Sequence, residues 1–222
     1  MSANQPEELR RIYGARFEKN LEYRKQVWGV LAPEFFQKYV VPSATVLDLG
    51  CGYGEFINTI RCGRKLAMDL NPDAPRFLAA EVQFLQQDCS TRWQCADQSL
   101  DVVFTSNFFE HLPGKNALKL TLEEAFRGLK PGGKLIALGP NIRFLPAHYW
   151  DFWDHHLALS DRSLAEGLEN CGFTILENHP RFLPYTMVSR REQPLAVISL
   201  YLKMRPLWKI FGRQFLIVAT KG

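Results

Sequence analysis

Short apolar runs alternate with amphipathic segments through the first two thirds of this 222-residue chain. Each run is rich in Val, Ile, Leu and Phe and is bounded by polar turns. The runs lie at 44–49, 65–69, 82–86, 100–105 and 134–138. Runs of this kind, separated by helices, are typical of parallel strands that are buried on both faces. Two later runs, at 173–177 and 214–220, predict an antiparallel pair at the edge of the same sheet.

Helices are predicted between and before these strands. Residues 115–129 carry an apolar stripe with charged side chains off it, and Pro131-Gly132-Gly133 is expected to turn the chain into the next strand. Residues 160–171 predict a second helix with Ser160 as its N-cap. The pattern predicts one domain over 1–222, made of a helical cover (1–40), a strand-and-helix core (44–140), and a substrate loop, helix and late strands (141–222).

Composition and charge narrow the class of protein. The hydrophobic content of 46% and the charged content of 23% are ordinary for a globular chain. The net charge of +4 is mild, and the densest basic stretches, 189–191 and 203–213, are too short to indicate a nucleic-acid partner. Five scattered cysteines form no C-x-x-C pair, and no apolar run reaches the length of a membrane span. We therefore expect a soluble, cytoplasmic protein.

A glycine-rich turn follows the first predicted strand, in Val46-Leu-Asp-Leu-Gly-Cys-Gly-Tyr-Gly-Glu-Phe-Ile57. Gly50, Gly52 and Gly54 leave the backbone bare, so a ligand can press against it. A dinucleotide fingerprint would need glycine at position 55, where the chain has Glu55. A carboxylate there is unfavourable beside a pyrophosphate but suits a cationic ligand without phosphate. S-adenosylmethionine, with its sulfonium and amino groups, is such a ligand.

Polar residues close four of the predicted strands. Asp48 ends the first, Asp69 the second, Asp88 follows the third and Asn107 follows the fourth. Ligands of an open parallel sheet bind at the carboxyl ends of its strands. Asp69 lies 21 residues after Asp48, about the distance at which a carboxylate reaches a ribose diol in a βαβ unit. We expect Asp88 to accept a hydrogen bond from an adenine amino group.

These motifs resemble those of class I S-adenosylmethionine-dependent methyltransferases, in particular the small-molecule, type 11-like group. The resemblance covers about residues 40–175: D-L-G-C-G-x-G is similar to the family's first motif, S-N-F-F-E-H-L to the segment after its fourth strand, and L-K-P-G-G-K-L to its turn into the fifth. It implies a Rossmann-like, doubly wound, mostly parallel seven-stranded sheet with a reversed edge strand. The implied cofactor-binding residues are Asp48, Gly50, Gly52, Tyr53, Gly54, Asp69, Leu70, Asp88, Cys89 and Asn107.

The resemblance implies transfer of a methyl group from S-adenosylmethionine to an O, N or C atom of a small molecule, such as a secondary metabolite, a sugar or a lipid-linked acceptor. Some acceptors need a base. The loop 141–156, dense in histidine and aromatic residues, is expected to contact the acceptor, and His148, His155 or His156 is a candidate base. A structural role for His155 is the favoured alternative. His111 is a further candidate, with a place at a helix start near the cofactor as its alternative.

The roles of the N-terminal cover (1–40) and of the segment 195–211 have more than one interpretation. Tyr13 and Arg16 are candidates to contact the methionine carboxylate or an acidic substrate, or else pack. The apolar and basic segment 195–211 favours a cover over the sheet edge or a dimer contact, with peripheral membrane contact as the alternative. Monomer and homodimer both stay open.

Other sites and functions are less favoured. A metal site built from His148, Asp154 and His155 has no recognised ligand spacing, so no metal is predicted. The alternatives to a small-molecule enzyme are a protein or RNA methyltransferase and a cofactor-binding protein without catalysis. The N/D-P-P-Y motif of amino-methylating nucleic-acid enzymes is absent, since Ser106-Asn-Phe-Phe109 stands in its place.

Overall fold

The computed structural model describes residues 20–185 and 192–222, and within them seven strands form one sheet. The strands are β1 (Thr45–Leu49), β2 (Arg64–Asp69), β3 (Val82–Gln86), β4 (Leu100–Ser106), β5 (Leu129–Pro140), β6 (Phe173–His179) and β7 (Gln214–Lys221). Their order is β3-β2-β1-β4-β5-β7-β6, and β7 runs antiparallel to both of its neighbours. The predicted sheet, including the reversed strand at this end, is confirmed. The expectations for Tyr13, Arg16 and residues 189–191 lie outside the described residues.

The turn predicted at 131–133 is part of β5. Leu129 pairs with Leu100, and the next pair joins Lys134 to Val102, so the intervening residues bulge out of the ladder. Gly132 takes a left-handed conformation there, with φ +75°. The prediction of a turn before the strand is therefore wrong in its boundary. The glycines instead allow a bulge near the beginning of a longer strand.

Helices cover both faces of the sheet, and short 3-10 turns join several elements. The helices are α1 (Leu21–Glu34), α2 (Glu55–Thr59), α3 (Lys115–Gly128), α4 (Asp161–Asn170), α5 (Leu195–Lys203) and α6 (Arg205–Phe211). The 3-10 turns are Phe36–Tyr39, Ala74–Phe77, Phe109–His111 and Tyr149–Asp151. Ser160 caps α4 as predicted, because its hydroxyl accepts from the backbone N–H of Ser163 and Ser163 returns the bond.

The helix α1 is attached through an aromatic cluster. The ring of Trp28 lies 6.0 Å from Phe36 and 5.8 Å from Phe104 of β4, while Phe56 of α2 stacks on Phe104 at 3.6 Å. Such contacts add to the free energy gained by burying the rings. The cover therefore fixes the helix that follows the glycine turn, as well as one face of the sheet.

The segment 195–211 forms the consecutive helices α5 and α6. Leu202 and Trp208 are buried, and the Tyr201 hydroxyl donates to the carbonyl of Phe182 at 2.6 Å. Other apolar side chains of this pair of helices are exposed: Val197, Leu200, Ile210 and Phe211. The ring of Trp208 packs against those of Phe35 and Phe182. A cover over the sheet edge, a dimer contact and a membrane contact all stay predictions for this segment. Within the two described ranges, none of the helices combines the length and apolar character needed to cross a membrane.

Candidate cofactor and acceptor site

The predicted site residues meet at one edge of the sheet because β1 lies between β2 and β4. Leu49, the last residue of β1, is paired with Met68 on one side and with Thr105 on the other. Asp69 follows Met68 and is paired with Gln86, the last residue of β3. Parallel strands in this register end at one level. The glycine turn and Asp69 therefore leave the sheet side by side.

The glycine turn has the backbone that its sequence predicts. Gly50, Gly52 and Gly54 have φ of +68°, +55° and +73°, a region that costs other residues about 1–2 kcal/mol. The N–H groups of Gly50 and Cys51 both donate to the carbonyl of Met68, at 2.9 and 3.1 Å. The turn is therefore tied to the end of β2.

Gly50 is also required by close packing. A Cβ at this position would lie 2.2 Å from Cγ of Phe108, far inside van der Waals contact. Phe108 follows β4, so the ring from one strand end lies against the bare backbone of another. A Cβ at Gly54 would likewise lie 2.3 Å from Leu78. Two of the three glycines thus make room for neighbouring side chains, and a ligand must share this space with Phe108.

Asp69 joins the glycine turn to the chain that follows β2. Its Oδ2 accepts from the N–H of Gly52 at 2.9 Å, and its Oδ1 accepts from the N–H of Asn71 at 2.8 Å. Asp69 is 7% exposed. The two bonds hold the carboxylate between the glycine turn and the chain after β2.

Asp48 and Glu55 place two further buried carboxyl groups beside the turn. Burial raises the pKa of Asp48 well above its usual value, and the charges of Glu55 and Asp69 raise it further. Glu55 is buried at the first position of α2 and forms an ion pair with Arg24 of α1, with 2.7 Å between Oε1 and Nη2. No sequence signal indicated Arg24 as a partner of Glu55. The sequence predicted that the Glu55 carboxylate faces a cationic ligand. In the structure the guanidinium of Arg24 lies beside it.

The remaining predicted cofactor residues lie around this edge. Asp88 is half-buried, and its Oδ1 accepts from both the N–H and the hydroxyl of Ser90. Cys89 is buried, and its thiol accepts from the Thr121 hydroxyl of α3, so it is packed against that helix. Burial raises the pKa of this thiol to about 12.

Tyr53, Leu70 and Asn107 complete this set. Tyr53 is buried, with its ring stacked 3.9 Å from that of Phe77. Leu70 is half-buried. Asn107 is exposed, with φ +50°, and its backbone N–H donates to Leu138 of β5 at 2.8 Å. Their positions agree with the predicted edge, and their roles toward a ligand stay predictions.

The loop after β5 separates the candidate histidines. His148 and His156 are exposed, and His148 pairs with Asp151 at 2.8 Å. His155 is buried, stacked on Phe152 and edge-on to Tyr149. The Tyr149 hydroxyl donates to the carbonyl of Leu157 and accepts from the N–H of Leu159. The buried position of His155 agrees with the structural role that the sequence favoured for it.

His111 and His155 come together from different segments. Their rings are 5.0 Å apart and edge-on, and the carbonyl of Glu110 accepts from the N–H groups of His156 and Leu157 at 2.8 and 3.0 Å. Burial raises the pKa of Glu110 to about 7. Burial alone would lower the pKa of His111, but the hydrogen bond to Asp154 and the charge of Glu110 outweigh it and raise that pKa. Glu110 was not predicted as a site residue. The only sequence signal for Glu110 is that an acidic residue stands among apolar ones in Phe108-Phe-Glu-His-Leu112.

Comparison with known proteins shows the family of the domain that contains this edge of the sheet. Residues 47–137 match the family model described as a methyltransferase domain. The chain contains a class I methyltransferase domain. The family predicted from the sequence motifs is thereby confirmed.

Among curated proteins, the domain is similar to 2-methyl-6-phytyl-1,4-hydroquinone methyltransferase of Synechocystis, at 27% identity over 157 residues. That match covers 59% of this chain and 46% of the relative, so the chain spans about half of the relative's length.

Solved structures share the fold. A methyltransferase of Archaeoglobus fulgidus described as S-adenosylmethionine-dependent has a TM-score of 0.67 at 21% identity, over 89% of this chain and 94% of that one. A methyltransferase of Haloferax volcanii, solved in complex with the activator Trm112, also has a TM-score of 0.67, at 20% identity over 91% and 93% of the two chains. At these identities the similarity shows the fold alone.

Proposed function

We propose that this protein transfers the methyl group of S-adenosylmethionine to a nucleophilic atom of a small molecule. One observation carries the cofactor assignment: the N–H of Gly52, in a turn of three left-handed glycines, is bonded to Asp69 at the end of the neighbouring strand. This hydrogen bond places a backbone without side chains beside a buried carboxylate. The match to the methyltransferase family over the same residues supports the assignment.

Each part of the cofactor has a matching group at this edge. Asp69 would accept hydrogen bonds from the two ribose hydroxyls, since a carboxylate is an acceptor at both oxygens. Asp88 would accept from the adenine amino group. The methionine end, with its cationic sulfonium, would lie toward the glycine turn, where Glu55 supplies negative charge, the Asp48 carboxyl group offers a polar contact and Phe108 an aromatic face.

The main task of the protein in methyl transfer is to align the acceptor atom with the methyl group. The attacking atom forms a bond to the methyl carbon as the carbon–sulfur bond breaks, and the bonding electron pair goes to sulfur. The protein must hold the two reactants in line and exclude water, which can supply several kcal/mol of the barrier reduction. An acceptor hydroxyl or amine also loses a proton. His111 and His155, near the end of β4, are the candidate residues for that step.

The loop after β5 supports a flat, apolar acceptor. Trp150 and Trp153 are 54% and 85% exposed, although aromatic side chains of this size are usually mostly buried. Exposed apolar groups at a candidate site often mark a binding surface. The curated relative is named for a phytyl hydroquinone, a flat ring with hydroxyl groups. An aromatic hydroxyl compound, free or lipid-linked, is therefore the acceptor class that we propose.

A protein acceptor is the second candidate, because the Haloferax neighbour was solved with an activator protein. One assay separates the two. The purified chain is incubated with S-adenosylmethionine and, in separate reactions, with substituted hydroquinones, catechols, peptides or RNA, and the demethylated cofactor is quantified. We expect turnover with an aromatic hydroxyl compound and none with peptide or RNA. Turnover confined to peptide or RNA would overturn the small-molecule proposal, and cofactor binding without turnover on any acceptor would overturn the proposed activity.

A further inference from the structure

Glu110, His111 and His155 form a compact cluster beyond the carboxyl ends of β4 and β5. Each residue offers one ligand atom, and these atoms all lie within 4.8 Å of one another. Glu110 and His155 are buried, and the side chain of His111 is 28% exposed. Within residues 20–185 and 192–222, this is one group of three side chains with the composition and closeness of a metal-binding set.

One oxygen of the buried Glu110 carboxylate has no hydrogen-bond donor within the described ranges. Glu110 is 2% exposed, and its Oε1 accepts no hydrogen bond from any residue that the structure describes. The closest cationic group is Nε2 of His111, 3.9 Å away, which is beyond hydrogen-bond distance. A buried carboxylate oxygen without a donor is destabilising unless a cation or proton meets it. The cluster therefore contains a buried acceptor oxygen with no hydrogen-bond donor among the described residues.

The imidazole of His111 is oriented as a ligand would be. Its Nδ1 lies 2.9 Å from the backbone carbonyl of Asp154 and 3.1 Å from the Asp154 carboxylate. A hydrogen bond through Nδ1 leaves Nε2 as the nitrogen that faces Glu110. Metal-binding histidines usually donate their second nitrogen to a carboxylate or carbonyl in this way. The rings of Phe152 and Tyr149 hold that of His155, at centroid distances of 4.9 and 5.0 Å.

We propose that Glu110, His111 and His155 bind one divalent transition-metal ion, such as Zn²⁺, with at least one coordination position left open. Two histidines and one glutamate are a known ligand set for catalytic zinc, and two histidines with one carboxylate also suit Fe²⁺. Nitrogen ligands disfavour Mg²⁺ and Ca²⁺, which prefer oxygen. Tetrahedral ligands with bonds of about 2.1 Å lie about 3.4 Å apart, so side-chain shifts of about 1 Å close the site.

Residue spacing within the loop 141–156 alone predicted no metal site. The proposed ligands come from two segments, the turn Phe109–His111 and the loop after β5. The fold joins these segments through the two backbone hydrogen bonds to the carbonyl of Glu110. Sequence spacing within one loop carries no information on such a pairing.

The open position would bind the acceptor's oxygen, and this part of the inference rests on the proposed methyl transfer. A metal-bound hydroxyl loses its proton more readily than a free one. With the metal bound, His111 and His155 act as its ligands in place of the base role given above, and the proton passes to solvent. The resulting oxyanion forms a bond to the methyl carbon, the carbon–sulfur bond breaks, and the electron pair goes to sulfur. This role agrees with an aromatic hydroxyl acceptor and gives the buried carboxylate a function.

The test measures metal and cofactor binding separately on the same full-length protein. The chain is treated with EDTA, dialysed, and titrated with Zn²⁺ by calorimetry and with Co²⁺ by visible absorption. We expect one Zn²⁺ per chain and d–d absorption from bound Co²⁺. Glu110→Gln and His155→Ala should each weaken Zn²⁺ binding by at least about tenfold. Glu177→Gln is the matched control, since Glu177 pairs with His179 at 2.9 Å in a similar glutamate–histidine contact on β6.

Two outcomes overturn the site. The first is wild-type protein that gives no Co²⁺ absorption, a result that needs no variant to fold. The second is Zn²⁺ affinity that is the same in the wild type and in folded Glu110→Gln or His111→Gln protein. S-adenosylmethionine binding by the same samples distinguishes the two proposals. Metal binding without cofactor binding would retain the site and overturn the proposed function, whereas cofactor binding without metal would do the reverse.

Discussion

The carboxylate of Asp69 accepts a hydrogen bond from the backbone N–H of Gly52 at 2.9 Å, which connects the end of β2 to the glycine turn after β1. The same carboxylate accepts from Asn71, so one side chain fixes both its own turn and the neighbouring one. A side chain in this position can act on a ligand directly and can also set the shape of the backbone beneath it.

Replacing Asp69 by alanine should weaken S-adenosylmethionine binding by at least about tenfold, because hydrogen bonds to a charged group contribute about 1.5–3 kcal/mol. Calorimetric titration measures the change in Kd. Asp73→Asn is the control, since Asp73 lies nearby and its carboxylate pairs with Arg76. Cofactor affinity that is unchanged in folded Asp69→Ala protein would refute the role of Asp69.

Gly50→Ala should lower the free energy of unfolding by about 2–5 kcal/mol, as the sum of left-handed strain and the clash with Phe108. Gly132→Ala isolates the first contribution, because Gly132 has φ +75° and open space around its Cα. Gly132→Ala should lower the free energy of unfolding by only about 1–2 kcal/mol. Urea unfolding of the two variants gives the comparison. Equal costs would show that the contact with Phe108 is not close in solution.

Asp48→Asn should change how stability depends on pH. Burial holds the pKa of Asp48 well above 3.8 in the folded chain, so the folded state keeps its proton after the unfolded state has lost it. Wild-type stability therefore falls as the pH rises from about 4 through the folded pKa. An asparagine does not titrate, and the variant should gain stability relative to the wild type over this range. Urea unfolding at several pH values measures the difference, and parallel curves would contradict a raised pKa.

Tyr149→Phe should destabilise the protein by about 2–3 kcal/mol, because the phenol oxygen serves two backbone groups, the carbonyl of Leu157 and the N–H of Leu159. Tyr149 is fully buried, so water does not replace these bonds. Tyr201→Phe, which loses one bond to the carbonyl of Phe182, should cost about 1 kcal/mol. Thermal or urea unfolding compares the two. If Tyr149→Phe lowers the free energy of unfolding no more than Tyr201→Phe does, the two hydrogen bonds of the Tyr149 hydroxyl are not both present in solution.

Local sequence signals predicted much of the fold and of the sheet edge where the site lies. Apolar runs located the strands, Ser160 located the beginning of α4, and the glycines after β1 located a turn that only glycine adopts without strain. These features depend on neighbouring residues in the chain. Parallel pairing then places Asp48 and Asp69 together, because strands in this order end at the same edge.

Contacts between distant segments were not predictable in the same way. The pairing of Arg24 with Glu55 depends on how α1 packs against α2, and the meeting of Glu110 with His155 depends on the path of the loop after β5. No periodicity encodes these contacts. The same reason explains why spacing within the loop 141–156 pointed to no metal.

The central claim, that the glycine turn and Asp69 bind S-adenosylmethionine, is tested most directly by calorimetric titration of the purified chain. S-adenosylmethionine, its demethylated product and NAD are titrated in parallel. We predict saturable one-to-one binding of the first two compounds and no heat of binding from NAD. Folded protein that binds neither S-adenosylmethionine nor its product, or that binds NAD instead, would contradict the account.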